Sequence, residues 1–122
     1  MRTLTIPAPA PWVSANDRSH WATKARRTHH WRIAAGVLAR ATTPNLLRTP
    51  VAITVTVHRT SGRRADASNL APTAKACIDG LVDAGWLPDD DDQHVIATTF
   101  VAGEPLRPAC LTLTITEQGD PT

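Results

Sequence analysis

Apolar and polar residues alternate along this chain at two spacings, and each spacing predicts one kind of secondary structure. Strict alternation over residues 2–6 and 51–57 predicts strands, because successive side chains of a strand point to opposite faces of a sheet. Apolar residues at helical spacing predict a first helix over residues 21–40. Four of its residues are expected to form the buried stripe: Trp31, Ala34, Ala35 and Leu38.

A second helix is predicted from about residue 70, where apolar residues recur every three or four positions as far as Val82. Ser68 or Asn69 is a suitable cap for its start, since a short polar side chain can accept a hydrogen bond from a free N–H group of the first turn. Pro72 is tolerated in that turn, and Gly85 is expected to end the helix.

Two further strands, over residues 94–101 and 110–117, follow the second helix and are joined by a loop that contains glycine and proline. The predicted order is therefore strand, helix, strand, helix, strand, strand. We expect a single α+β domain covering residues 1–122, with a small mixed sheet and two main helices. Residues 118–122 are expected to form a disordered tail.

Charged residues are unevenly distributed, although the formal net charge is only +2. Asp89 to Asp92 form one acidic run, whereas basic residues are concentrated in the first third of the chain. A basic surface beside a carboxylate cluster suits an anionic polymer held next to a metal ion. The alternatives are a solvated helix face and a solvated acidic loop. On a helical wheel, one arc of the first helix carries Arg26, His29, Arg32, Gly36 and Arg40.

The cysteines and the N-terminus indicate the compartment. Cys77 and Cys110 lie far apart inside apolar segments, so buried thiols and a reducing compartment are expected rather than a disulfide. No apolar run is long enough to span a bilayer, and prolines interrupt the N-terminus too early for a signal peptide. We therefore expect a cytoplasmic protein with no membrane partner. Core or interface positions, rather than base stacking, are expected for Trp12, Trp21, Trp31 and Trp86.

Carboxylates lie on both sides of the second helix, with Asp66 before it and the acidic run after it. A helix of about 15 residues is about 22 Å long, so these carboxylates meet only if the sheet or the loops bring them together. Mg²⁺ prefers oxygen ligands and usually binds one or two protein carboxylates together with phosphate and water. A nearby lysine, Lys75, would stabilise charge on a phosphate. The alternative for Lys75 is a surface ion pair with Asp79.

Three segments stand in a fixed order between residues 62 and 90: Gly62-Arg63-Arg64-Ala65-Asp66-Ala67-Ser68-Asn69-Leu70, Lys75-Ala76-Cys77-Ile78-Asp79-Gly80-Leu81 and Asp83-Ala84-Gly85-Trp86-Leu87-Pro88-Asp89-Asp90. This set resembles the core signature of the RusA-type Holliday junction resolvases. In that signature a basic loop and an Asp-x-Asp-Asn-Leu motif precede a helix with a lysine and an Asp-x-Leu triplet. An Asp-Asp pair then precedes a strand. With the polar N-terminal loop and the closing strand, the resemblance covers nearly the whole chain.

The resemblance implies a homodimer that cleaves four-way DNA junctions with Mg²⁺ or Mn²⁺, each subunit nicking one strand. Matched by position, the catalytic residues are Asp66, Lys75 and Asp90, and the metal ligands are Asp66, Asp89 and Asp90. Asp91 or Asp92 is the alternative for the acidic pair. A metal-activated water would attack the phosphodiester while Lys75 stabilises the developing charge. Contacts to DNA are expected from Asn16, Arg18, His20, Arg26, Arg63, Arg64 and Asn69.

Two departures from the signature bear on activity. Ser68 stands where the motif has its second aspartate, and a neutral hydroxyl is a weaker Mg²⁺ ligand than a carboxylate. Ala71-Pro72-Thr73 resembles an insertion of three residues, which changes the reach of Lys75 toward Asp66. One rival function is therefore a branched-DNA-binding dimer without catalysis. A second rival is a structural or interaction protein whose acidic loop merely binds a cation.

Overall fold

The computed structural model describes residues 1–42, 46–62 and 66–120. It confirms an α+β domain with the predicted order of elements and a four-stranded sheet. The elements are β1 (Arg2–Pro7), α1 (Trp21–Thr42), β2 (Val51–His58), a 3₁₀ turn (Ala67–Leu70), α2 (Ala71–Asp83), β3 (Val95–Ala102) and β4 (Cys110–Thr116).

The sheet is mixed, and its strands lie in the order β1-β4-β2-β3. β4 is antiparallel to both of its neighbours, whereas β2 and β3 are parallel. A parallel pair needs a long crossover connection, and the 3₁₀ turn with α2 supplies it. β3 lies at one edge of the sheet, beside the helix that carries Lys75.

The core lies between the helices and one face of the sheet. Alternate residues of β2 are buried, beginning with Val51, and they join the buried residues of both helices in one hydrophobic cluster. The opposite face of the sheet is polar, and one row of directly paired threonines crosses all four strands: Thr3, Thr114, Thr54 and Thr99. The two faces therefore have the in-and-out alternation that the sequence predicts.

Helices α1 and α2 cross closely at two glycines. A Cβ atom built at Gly80 would lie 2.4 Å from the carbonyl oxygen of Arg32 and 2.9 Å from the amide nitrogen of Gly36. Gly36 is buried, so the arc that it shares with Arg32 and Arg40 faces α2 at this point. Because of this close contact, the face of α1 that is buried differs from the predicted one, and Ala34 and Leu38 are only half-buried. The buried residues of α1 are Trp31, Ala35, Gly36 and Ala39.

The start of α2 also differs from the prediction, whereas its end agrees. Asp66 caps the 3₁₀ turn by accepting the backbone N–H of Ser68 at 3.0 Å, and α2 itself begins without a side-chain cap. At the other end, Gly85 adopts a φ of 81°, a left-handed conformation that favours glycine. Its N–H donates to the carbonyl of Val82 at 3.0 Å, which closes the helix as expected.

Contacts are present at the start of the tail that was expected to be disordered. The N–H of Gln118 donates to the carbonyl of Arg48 at 2.9 Å. The carboxylate of Asp120 accepts from the N–H of Glu117 at 2.8 Å and pairs with the guanidinium of Arg48 at 3.2 Å. Arg48 therefore joins residues 118–120 to the body of the domain, and the disorder expected for residues 118–122 stays a prediction. Residues 121–122 lie outside the described residues.

Candidate functional site

Lys75, Asp79 and Asp90 form a small charged cluster at the surface of α2. Lys75 and Asp79 lie one helical turn apart, and the Lys75 Nζ donates to the Asp79 Oδ1 at 2.6 Å. The same ammonium donates to the Asp90 Oδ2, which the loop after α2 brings back along the helix. Lys75 is 60% exposed, whereas Asp79 and Asp90 are 26% and 24% exposed. Two of the three predicted catalytic residues, Lys75 and Asp90, are therefore in contact.

The acidic run is folded by its own hydrogen bonds, and these select Asp90 as the residue that reaches Lys75. Asp89 accepts the N–H of Asp90 at 2.7 Å. The Asp91 carboxylate accepts the backbone N–H of His94 at 3.2 Å and lies 2.6 Å from its Nδ1. Asp91 thus stabilises the turn that leads into β3. The cluster with Lys75 contains Asp90 and neither of its two sequence neighbours.

The ion pair between Lys75 and Asp90 keeps both groups charged near neutral pH. The pKa of Asp90 is lowered below its ordinary value of 3.8, chiefly because Lys75 donates a hydrogen bond to the carboxylate and adds a favourable charge. The pKa of Lys75 is raised, first by its hydrogen bond to Asp79 and then by that to Asp90, while partial burial opposes the rise. Lys75 is therefore suited to stabilising negative charge and not to removing a proton.

Asp66 belongs to a separate local structure. Its carboxylate accepts the N–H and the hydroxyl of Ser68, at 3.0 and 2.8 Å. These two hydrogen bonds are the main reason that the pKa of Asp66 is lowered, and the charge of Arg59 adds to the effect. Ser68, which stands where the motif has an aspartate, thus gives its hydroxyl to Asp66.

The predicted ligand set of Asp66, Asp89 and Asp90 does not come together as one group. Over residues 1–42, 46–62 and 66–120, no three His, Cys, Asp or Glu side chains are grouped in a way that could hold a metal ion. Two carboxylates do converge, however, because Asp79 and Asp90 share Lys75 as their counter-ion. Since Mg²⁺ commonly binds only one or two protein carboxylates and completes its shell with water and phosphate, this pair fits a largely hydrated ion.

The N-terminal loop docks on the start of α2. The buried hydroxyl of Thr73 donates to the Val13 carbonyl at 2.7 Å and accepts the Val13 N–H at 2.9 Å. The N–H of Ala15 donates to the carbonyl of Asn69 at 2.7 Å. The loop that holds Asn16 therefore begins beside Asn69. Sequence reasoning missed Thr73, although a polar residue within an apolar helical stripe was a usable signal.

Arg18 and His20 follow in the same loop and are exposed. The His20 Nδ1 accepts the N–H of Ala22 at 3.2 Å, which helps to start α1. Its ring centroid lies 5.5 Å from that of Trp21, and Trp21 is 75% exposed. Trp21 therefore lies outside the core, and an interface position for it stays a prediction.

The basic arc of α1 is divided between two roles. Arg32 makes a bidentate pair with the Asp83 carboxylate at 2.6 and 2.8 Å, and Arg40 donates to the Asp83 carbonyl at 3.1 Å. These two arginines join α1 to the end of α2, so this part of the basic arc packs within the domain. Arg26 is exposed on the N-terminal half of the helix. Arg63 and Arg64 lie outside the described residues.

A shallow groove lies next to the charged cluster, between α2 and β3. Its volume is about 290 Å³ and its surface is almost wholly apolar. The residues that line it are Ala71, Ala74, Lys75, Ile78, Thr98 and Phe100. The groove thus runs from the lysine of the cluster to β3, the edge strand of the sheet.

Comparison with known proteins identifies no family. No protein-family model matches the chain, and no curated protein matches it by sequence. In the part of the chain that the structure describes, no helix is both long and apolar enough to cross a membrane.

Proposed function

We propose that this protein is a metal-dependent endonuclease that cleaves four-way DNA junctions, the activity that its RusA-like motifs imply. One observation supports the proposal most directly. Lys75 and Asp90 are 15 residues apart in sequence and were both assigned to catalysis from the motif order, and their side chains are in contact. The docking of the N-terminal loop beside Asn69 gives further support, because it joins two of the expected DNA-binding segments.

The chemistry would be divided among three side chains. Asp79 and Asp90 would hold a Mg²⁺ or Mn²⁺ ion, which when bound supplies positive charge at the scissile phosphate and lowers the pKa of bound water. Lys75 is protonated, so it would donate to a phosphate oxygen as negative charge builds there. Binding of the phosphate would draw Lys75 away from its two carboxylates and leave them to the metal.

DNA binding would depend on the exposed basic residues of the loop and of α1, such as Arg18 and Arg26. Contacts to phosphates fix the position of a duplex without reading its bases, and they release counter-ions. Binding should therefore weaken steeply as the salt concentration rises. We further propose a cytoplasmic homodimer, since each subunit of such an enzyme would nick one of two symmetric strands.

The deciding experiment measures nicking of a labelled synthetic four-way junction in Mg²⁺, in Mn²⁺ and in EDTA, with a linear duplex beside it. Asp90→Asn and Lys75→Met should abolish metal-dependent nicking. Asp92→Asn is the matched control, because Asp92 lies exposed in the same loop. Full nicking by Asp90→Asn would refute the assignment of this cluster. A further variant, Asp66→Asn, determines whether Asp66 takes part despite its separate position.

A branched-DNA-binding protein without catalysis is the second candidate, and the Asp66–Ser68 hydrogen bond favours it. The second acidic group of the motif is replaced there by a hydroxyl that is already engaged. Tight, salt-sensitive binding of the junction with no nicks in either metal would establish this candidate and exclude the first.

A further inference from the structure

β3 is an edge strand, and within residues 1–42, 46–62 and 66–120 it has few of the features that normally keep edge strands apart. Its sequence, VIATTFVA, contains no charged residue, no proline and no glycine over 8 residues. Ile96 and Val101 are 62% and 42% exposed. A long, uncharged edge of this kind presents free backbone groups to another strand. Only a register shift beside Val51 interrupts its regular pairing with β2.

An apolar groove is also open on the helix side of β3. The apolar groove between α2 and β3 reaches Thr98 and Phe100, which are near the middle of the strand. A strand added at this edge would satisfy the free backbone groups, and its side chains would fill the groove. Backbone pairing and apolar burial thus favour the same occupant, an extended and uncharged segment.

The charges at the two ends of β3 indicate which extended segment would pair with this strand. Asp89 to Asp92 precede the strand and make its first end acidic. Arg59 and Arg107 lie near its far end. The N–H of Leu106 donates to the Arg59 carbonyl at 3.0 Å, which brings the two arginine-bearing loops together. Glu104 reduces the positive charge there but leaves it net basic. A parallel copy of β3 would place aspartates against aspartates. An antiparallel copy places each acidic end beside the basic end of its partner.

We propose that β3 pairs antiparallel with β3 of a second copy of this chain, about a two-fold axis perpendicular to the sheet. The sheet is then continuous across both copies, and neither copy keeps a free edge at β3. Such an axis preserves the faces of the sheet, so both α2 helices lie on the same side. If the proposed nuclease function holds, the two Lys75–Asp90 clusters face one junction from that side.

A scan of single cysteines along residues 95–102, the whole of β3, tests the pairing under mild oxidation. In an antiparallel pair only the residue on the two-fold axis lies directly opposite itself, so one position should form a disulfide-linked dimer. The native Cys77 and Cys110 are buried and should not react. Cross-links at several adjacent positions would mean parallel pairing, and cross-links at none would mean no pairing. Either outcome overturns the proposal.

Molar mass from light scattering is the second measurement. Val101→Lys should convert the dimer into a monomer, whereas Val37→Lys, at a residue of α1 that is 56% exposed, should leave it dimeric. Arg59→Asp should weaken the dimer, and adding Asp92→Arg to it should restore the dimer by exchanging the charges across the interface. A monomeric wild-type chain, or equal effects of Val101→Lys and Val37→Lys, would refute the inference.

These measurements require no DNA, so they can be separated from the test of function. A dimer that passes the cysteine scan but nicks no junction refutes the nuclease and leaves the interface standing. A monomer that nicks junctions refutes the interface and leaves the nuclease function standing.

Discussion

Replacing Gly80 with alanine should destabilise the protein, although alanine is the better helix former. The added Cβ would lie 2.4 Å from the Arg32 carbonyl oxygen, 2.9 Å from the Gly36 nitrogen and 3.0 Å from the Ala35 Cβ. Two of these three atoms belong to the backbone of α1, so no side-chain rotation relieves the contact. The helices must move apart, and α2 carries Lys75 and Asp79 with it.

The size of the effect follows from two opposing contributions. Alanine is favoured over glycine in a helix interior by about 1 kcal/mol. Overpacking a close contact costs about 1–3 kcal/mol, and rigid backbone neighbours place Gly80→Ala at the upper end of that range. The net loss in the free energy of unfolding is therefore about 2 kcal/mol. In a domain of this size each kcal/mol lowers Tm by about 4 °C, so Tm should fall by about 8 °C.

Gly36→Ala is the matched control, because its Cβ would meet nothing closer than the Gly80 carbonyl oxygen at 3.3 Å. A small adjustment accommodates that contact, and the gain in helix propensity offsets it. Gly36→Ala should stay within about 0.5 kcal/mol of the wild type. Urea and thermal unfolding followed by circular dichroism measure both variants. A Gly80→Ala protein as stable as Gly36→Ala would refute the close crossing of the helices.

Three further predictions concern buried or charged side chains. Thr73→Val should lower the free energy of unfolding by about 1–3 kcal/mol, because Val13 loses both partners for its backbone groups; unchanged urea unfolding would contradict this. Lys75→Met should raise the pKa of Asp90, measured by carboxyl NMR. Asp90 has a lowered pKa in the folded state, so its contribution to stability is present above about pH 4 and is lost as the pH falls through the folded pKa. An unchanged Asp90 midpoint in that variant would refute the ion pair. Burial raises the pKa of Cys77 to about 12, so a thiol reagent should modify it only after unfolding.

The order of the elements was predictable because it depends on local patterns. Alternation along β2 and the apolar stripe of α2 each arise from residues close in sequence, and both are seen. The buried face of α1 was not predictable in this way. It depends on Gly36 meeting Gly80, a contact between two distant segments that neither segment reveals alone.

The candidate site was likewise predictable only where its features depend on residues close in sequence or on the motif order. The motif order selected Lys75 and Asp90, and the fold brings them into contact. The helical spacing of four residues predicted only a surface ion pair between Lys75 and Asp79, and that ion pair is also present. The geometry adds that the two interactions share one ammonium, which depends on how the loop after α2 returns. Asp66 was expected in the same group, but its hydrogen bonds to Ser68 hold it in a turn of its own.

The position of β4 has a consequence for the synthesis of the protein. β4 lies between β1 and β2, so the first strand of the chain has no neighbour until the last strand is made. The sheet can therefore close only after β1, both helices and the parallel pair have emerged from the ribosome. Chains interrupted before residue 110 would lack a central strand and expose two new edges. Such fragments should be recognised by chaperones and proteases, because unpaired strand edges promote aggregation.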